Sequence, residues 1–173
     1  EYLMTLINDV LDISRIESGK LEYKPIPVDL RDMINTVLSI ARGYIENRDL
    51  NLYVSREELK TPYVMADELR IREVLLNIIS NAVKFTKDGG TISFAAENAP
   101  GNDENHIIVR YRISDTGIGM SEEFQTRIFD EFSQENGGAR TSYKGAGLGM
   151  AIAKQYVDLM GGKIEVSSRQ GVG

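Results

Sequence analysis

Glu73, Asn77, Asn81 and Lys84 recur at steps of four, four and three residues, the spacing that lines side chains along one stripe of a helix. Asparagine is a poor helix former, roughly a few tenths of a kcal/mol worse than glutamine or lysine. Two of them on one stripe therefore invite a chemical reading. An amide offers a neutral carbonyl oxygen to a cation and N–H donors to an anion. With Lys84 beyond them, the stripe could hold a magnesium ion and the phosphates it neutralises. Taken alone, it is equally an ordinary solvated helix face.

Two glycine-rich runs follow. In Asp115-Thr116-Gly117-Ile118-Gly119-Met120, glycines let backbone approach a flat ligand while the carboxylate accepts a hydrogen bond, for which an adenine amino group is one suitable donor. Many tight turns share this pattern, so alone it is weak. Gly145-Ala146-Gly147-Leu148-Gly149-Met150 opens a helical pattern, and free backbone N–H groups at a helix start form an anion site. It is no Walker loop, because no Gly-Lys-Ser/Thr follows, and no strand immediately precedes it as a dinucleotide fingerprint requires. The polar stretch before it carries Arg140 and Lys144, both available to a phosphate. Phe129 and Phe132 bracket an acidic pair just upstream. They read either as core packing or as the anchor of a lid over about 133–147.

Composition narrows the chemistry. The 173 residues include no cysteine and one histidine, His106, which excludes disulfides, thiolate chemistry and a multi-histidine zinc site. Any metal must be a hard cation on oxygen ligands. A net charge of −6 argues against nucleic acid as a partner, since a phosphate-binding surface needs a basic excess. No apolar run is long enough to span a bilayer and no signal-peptide pattern opens the chain. A cytoplasmic segment without membrane contact is expected, compatible with a parent anchored in the inner or plasma membrane.

The elements that must position these residues are legible from periodicity. Leu3, Leu6, Val10 and Ile13, widened by Ile7, Leu11 and Ile16, make an apolar stripe that ends at Ser18-Gly19. It reads as half of an interhelical interface, with a helix packed on its own domain as the alternative. Pro25 and Pro27 mark a linker. Asp29 is a plausible N-cap for a helix to about residue 47, with Leu30, Ile34, Val37, Leu38, Ala41 and Ile45 inward. Strands are expected over 51–55, 63–66, 91–97, 106–114 and 163–168, and helices over 67–85, 121–129 and 148–160. Mixed helices and strands without strict βαβ alternation predict an α+β sandwich of one sheet and one helical layer.

In this order the residues resemble the catalytic, ATP-binding domain of sensor histidine kinases, within the wider ATPase group of gyrase, Hsp90 and MutL. The match covers about residues 29–173. Asn77–Thr86, NIISNAVKFT, resembles the family's N box; Asp115–Met120 its G1 box; Phe129–Phe132 its F box; Gly145–Met150 its G2 box. LINDVLDISRIESGKLE resembles the second helix of the dimerisation and phosphoacceptor hairpin. The resemblance implies a two-layer Bergerat fold. It also implies a division into 1–20 as hairpin helix, 21–28 as linker and 29–173 as catalytic domain. By the same resemblance Asn81 with Asn77 would ligate Mg2+ and Lys84 would contact phosphate. Asp115 would bind adenine in a pocket shaped by Gly117, Ile118 and Gly119. Gly145, Gly147, Leu148 and Gly149 would contact the phosphates of ATP. The implied partners are the kinase's own phosphoacceptor helix, a response-regulator receiver domain in a two-component phosphorelay, and a second copy through the hairpin.

The sequence departs from the family pattern in three places. The phosphoacceptor histidine is expected on a helix absent from this chain, and His106, at the start of a strand, cannot replace it. The sequence stops at Gly173, before the family's last strand and its adenine-contacting hydroxyl. Ala146 stands where threonine is common. Two other functions compete: a gyrase- or Hsp90-type ATPase, and a non-catalytic nucleotide-binding module. The ATPases place a glutamate general base where this chain has Asn77, which cannot take a proton from water. Glu73, one turn away, is the residue that could revive that reading.

Overall fold

The computed structural model describes residues 21–135 and 147–173, with positions 7, 10, 11, 13–15, 18 and 19 ahead of them. Strand β1 (Ile26–Asp29) pairs antiparallel with β3 (Tyr63–Ala66). Strands β2 (Asn51–Glu58), β4 (Thr91–Pro100) and β5 (Ile107–Asp115) form a second sheet in the order β2-β4-β5. The β2–β4 pair is parallel, and its crossover runs through β3 and the long helix α2 (Glu68–Phe85); β4 and β5 are antiparallel. Helix α1 (Leu30–Ile45) starts where the Asp29 side chain accepts from Arg31 N–H. Its buried face is the expected one with Met33 added, except that Ile45 at its last turn is only partly buried against the core. Ile92, Phe94 and Ala96 alternate inward from β4 and meet this face together with Leu75, Ile79 and Ala82 of α2. The fold is α+β, with a three-stranded sheet under a helical layer and, where one sheet was expected, a separate two-stranded sheet of β1 and β3.

A second, smaller core joins α2 to α4 (Gly149–Leu159). Val74, Leu148, Ile152, Ala153 and Tyr156 pack there with Ile13 from the leading segment. That segment divides the two readings of its apolar stripe. Ile13 is 7% exposed against its own domain, whereas Ile7, Val10 and Leu11 stay open at 43%, 46% and 47%. Gly19 takes φ +65° after a Ser18 N–H bond to Ser14 O, the left-handed stop expected of a C-cap glycine. Lys24 N–H then donates to Asp67 Oδ2 at 3.0 Å, tying the following stretch to the start of α2.

Three expectations need correction. The proline-marked stretch is not all linker, because Ile26–Asp29 finds a partner in β3; proline is tolerated at an edge where no ladder donor is needed. Helix α3 is only Glu122–Gln125, not 121–129. Thr126 Oγ1 donates back to Glu123 O, and Arg127 and Asp130 N–H groups take carbonyls three residues back, so tight turns replace the helical ladder. Residues 163–168 form no strand. Alternation sets which side chains share a face, but a strand needs a ladder partner, and this segment has none among the described residues. Side chains anchor it instead: Ser168 N–H donates to Gln125 Oε1 and Gln125 Nε2 to Ser168 O, both at 3.0 Å.

Candidate functional site

Helix α2 is the platform. Asp67, 6% exposed, caps it by accepting from Arg70 N–H at 3.3 Å. Val74, Leu75, Ile79, Ala82 and Val83 bury one face, which leaves Glu73, Asn77, Asn81 and Lys84 half-buried beside it. Glu73 is engaged: Arg70 Nη1 is 2.6 Å from its Oε2. The same nitrogen donates to Tyr156 Oη at 2.9 Å, with the guanidinium 4.7 Å from that ring's centre. Lys84 Nζ lies 4.8 Å from the centre of the Phe85 ring. Burial pulls the Lys84 ammonium below its ordinary pKa.

One glycine loop meets the middle of α2. Gly147 takes φ +73°, and a Cβ there would stand 2.8 Å from Ser133 O and 3.1 Å from Phe132 Cα. The second phenylalanine thus backs the loop through its main chain. Phe132 itself has φ 57° and an exposed ring, and Phe129 is half-buried. Leu148 is fully buried, and among the described residues no side chain caps the start of α4, so its first N–H groups can turn to a ligand. At Gly149 a Cβ would fall 3.4 Å from Asn77 Oδ1. The helix start therefore abuts the asparagine stripe.

The other glycine loop meets the end of α2. Asp115 closes β5, and its Oδ1 accepts from Gly117 N–H at 2.8 Å. Ile118 N–H donates to Phe85 O at 3.2 Å. A Cβ on Gly117 would stand 2.7 Å from that same oxygen and 2.6 Å from Asp115 Oδ1, a seat only glycine fits. Gly119, at φ +62°, is pressed against the Arg169 carbonyl. Gly171 N–H donates to Ile118 O at 2.6 Å, and Met120 N–H to Ser168 Oγ at 2.9 Å. The loop is thus held between the last turn of α2 and the closing segment.

Asn77 and Phe85 are eight residues apart, about 12 Å along the helix at 1.5 Å per residue. The structure brings Asn77 to the loop at Gly147–Gly149 and Asp115, Gly117 and Ile118 to the far end of the same helix. Arg140, Lys144, Gly145 and Ala146 lie outside the described residues. His106 is remote from this arrangement; it is exposed at the β4–β5 turn and bonded to Asp103 at 2.7 Å. That contact holds the Asp103 carboxyl below its usual pKa. Among the described residues no three His, Cys, Asp or Glu side chains cluster as a metal site. Gln125 and Ser168, which brace the Asp115 loop, escaped the sequence reading because their bonds join a side-chain amide to main-chain atoms 43 positions away.

Residues 66–173 match the family model described as histidine kinase-, DNA gyrase B-, and HSP90-like ATPase. The chain belongs to this family. Within it, the chain is similar to the sensor protein GacS of Pseudomonas syringae pv. syringae, 38% identical over all of this chain and 19% of that protein. It is also 35% identical to hybrid signal transduction histidine kinase B of Dictyostelium discoideum, over 99% of this chain and 9% of that one. Among solved structures, full-length ShkA in complex with AMPPNP superposes with a TM-score of 0.83 at 30% identity, covering 99% of this chain and 34% of ShkA. The chain thus spans about a fifth or less of these curated relatives. Among the described residues of this ATPase domain, no helix is long and apolar enough to cross a membrane.

Proposed function

We propose that the chain is the ATP-binding catalytic domain of a sensor histidine kinase, which transfers the γ-phosphoryl group of ATP to a histidine on a helix outside this chain. The carrying observation is the contact of the α4 start with Asn77 on the helix whose end seats the Asp115 loop. One end of α2 suits an adenine amino group, at the Asp115 carboxylate; its middle suits phosphate, at the free N–H groups of α4. Gly117, Ile118 and Gly119 shape the base pocket. Gly147, Leu148 and Gly149 hold phosphate, joined in sequence by Arg140, Lys144 and Gly145.

The donor set fits Mg2+ only as a shared ion. Amide oxygens of Asn81 and Asn77 would hold it, with the remaining positions of its octahedron left to phosphate and water. Bound there, it would neutralise charge on the β and γ phosphates. Lys84 would contact phosphate beside it. In the transfer, the bond from γ-phosphorus to its bridging oxygen breaks, a bond to the imidazole nitrogen forms, and ADP leaves. The chain's own contribution is position: both ends of the nucleotide are fixed so that the γ-phosphorus faces the acceptor.

Glu73 does not favour hydrolysis of the gyrase type, because its carboxylate is tied to Arg70. The intact asparagine and glycine boxes speak against a non-catalytic module. The proposed setting is cytoplasmic, with the acceptor helix of the same kinase, a second copy through the hairpin, and a receiver domain downstream.

The test separates the two ends of the site. Asn81→Ala weakens Mg-ATP by on the order of tenfold or more, through the lost ligand, and leaves metal-free adenosine within about twofold. Titration calorimetry with each ligand measures both. Equal losses would make Asn81 structural and remove the metal from this stripe.

A further inference from the structure

Arg48 stands in the loop between α1 and β2 and belongs to none of the motifs above. Its guanidinium spans the end of α2: Nη1 donates to Val83 O at 3.3 Å and Nη2 to Thr86 O at 2.9 Å. Nε reaches Asp88 Oδ1 at 2.8 Å in the turn beyond. The last carbonyls of a helix lack intrahelical partners and carry the negative end of its dipole, so a planar cation bridging two of them stops the helix firmly. Main-chain bonds reinforce the clamp, from Gly89 N–H to Asp49 O at 2.5 Å and from Asn51 N–H to Gly90 O at 2.9 Å.

Phe85 lies between the two clamped carbonyls. Its own carbonyl accepts from Ile118 N–H and closes against Gly117, whose N–H in turn holds Asp115 Oδ1. We propose that Arg48 is a positioning residue for nucleotide binding: by pinning the Val83 and Thr86 carbonyls it orients the Phe85 carbonyl, and so the loop that presents Asp115 to the base. This inference rests on the nucleotide-binding reading and deepens it. The exposed ion pair with Asp88 is not the working part, since surface pairs contribute little; the carbonyl bridge is.

The experiment uses the whole 173-residue chain, adenosine and ATP as ligands, and amide exchange by NMR. Arg48→Ala weakens adenosine and ATP by the same factor, on the order of tenfold, as expected for losing a charge-assisted bond that sets geometry. It also speeds exchange of the Ile118 amide, while the Arg112 amide, which faces Ala95 across the β4–β5 ladder, keeps its rate. Arg48→Lys keeps the charge but cannot bridge two carbonyls, so it loses about threefold. Asp88→Ala stays within about twofold of the parent. If Arg48→Ala does not fold, Arg48→Lys decides. Parent-like affinity and Ile118 exchange in the deciding variant overturn the proposal, as does equal acceleration of Ile118 and Arg112. A parent chain that binds neither ligand would instead overturn the nucleotide-binding reading itself.

Discussion

Lys84 shows how a single side chain is poised between stability and binding. Desolvation disfavours its charged form, and the Phe85 face offsets part of that penalty. The sign of the linkage follows. With the folded pKa lowered, the unfolded chain holds more protons than the native one between that lowered value and the ordinary 10.5. Stability from this group therefore rises with pH through that window and is lowest below it. A phosphate bound there, as proposed, would supply a counter-charge and reverse the preference. Lys84→Met should thus hold or raise the thermal midpoint of the free chain at neutral pH and flatten its rise toward pH 10. It should also weaken ATP on the order of tenfold through the lost charge-assisted bond, with adenosine almost untouched. Thermal scans across pH beside two titrations check this; a variant that loses adenosine and ATP alike would remove Lys84 from the phosphate end.

At the scale of elements, the site is two glycine loops seated on one helix, and the helix was the most legible part of the chain. Eighteen residues of unbroken 3.6-residue periodicity, with Asp67 ahead and Thr86 behind, leave little room for another assignment. The glycine loops were legible by residue type, though what each glycine makes room for was not. Gly117 fits a carbonyl of α2 and Gly149 fits the Asn77 side chain, both neighbours distant in sequence. The same limit explains the misreadings: β1 and residues 163–168 differ in having or lacking a partner, and pairing is not local information. The Gly149 contact yields a separable effect. Its backbone is helical and its φ is not left-handed, so Gly149→Ala stabilises the free chain by about 0.5 kcal/mol. The added methyl, 3.4 Å from Asn77 Oδ1, occupies the space where phosphate would meet the helix start. ATP affinity should fall by on the order of tenfold, read as lost steric access to the helix-start N–H groups, while the thermal midpoint rises. Unchanged ATP affinity in the stabilised variant would move the phosphates elsewhere.

For the whole molecule the deciding fact is the placement of its only imidazole. His106 precedes β5 and Asp115 ends it, so the two stand about 30 Å apart along a strand rising roughly 3.4 Å per residue. Phosphoryl transfer needs the nucleophile within about 3.5 Å of the γ-phosphorus, and the nucleotide is proposed to lie along α2, whose end meets the Asp115 side of that strand. The histidine ring is instead engaged with Asp103 at an exposed turn. The chain should therefore bind ATP without labelling itself. Transfer should appear only when a hairpin helix carrying a histidine is supplied, in a longer polypeptide or in trans. Ile7, Val10 and Leu11, open along the leading segment, offer that helix apolar surface, while Ile13 stays docked against Val74 and Tyr156. Incubation with γ-labelled ATP, with and without the added helix, measures this. Acid-labile label on the present chain, lost on His106→Ala, would overturn the assignment of acceptor and catalytic site to separate elements. Label on the supplied helix that survives His106→Ala would establish that the geometry around α2 does its work on a nucleophile brought from outside.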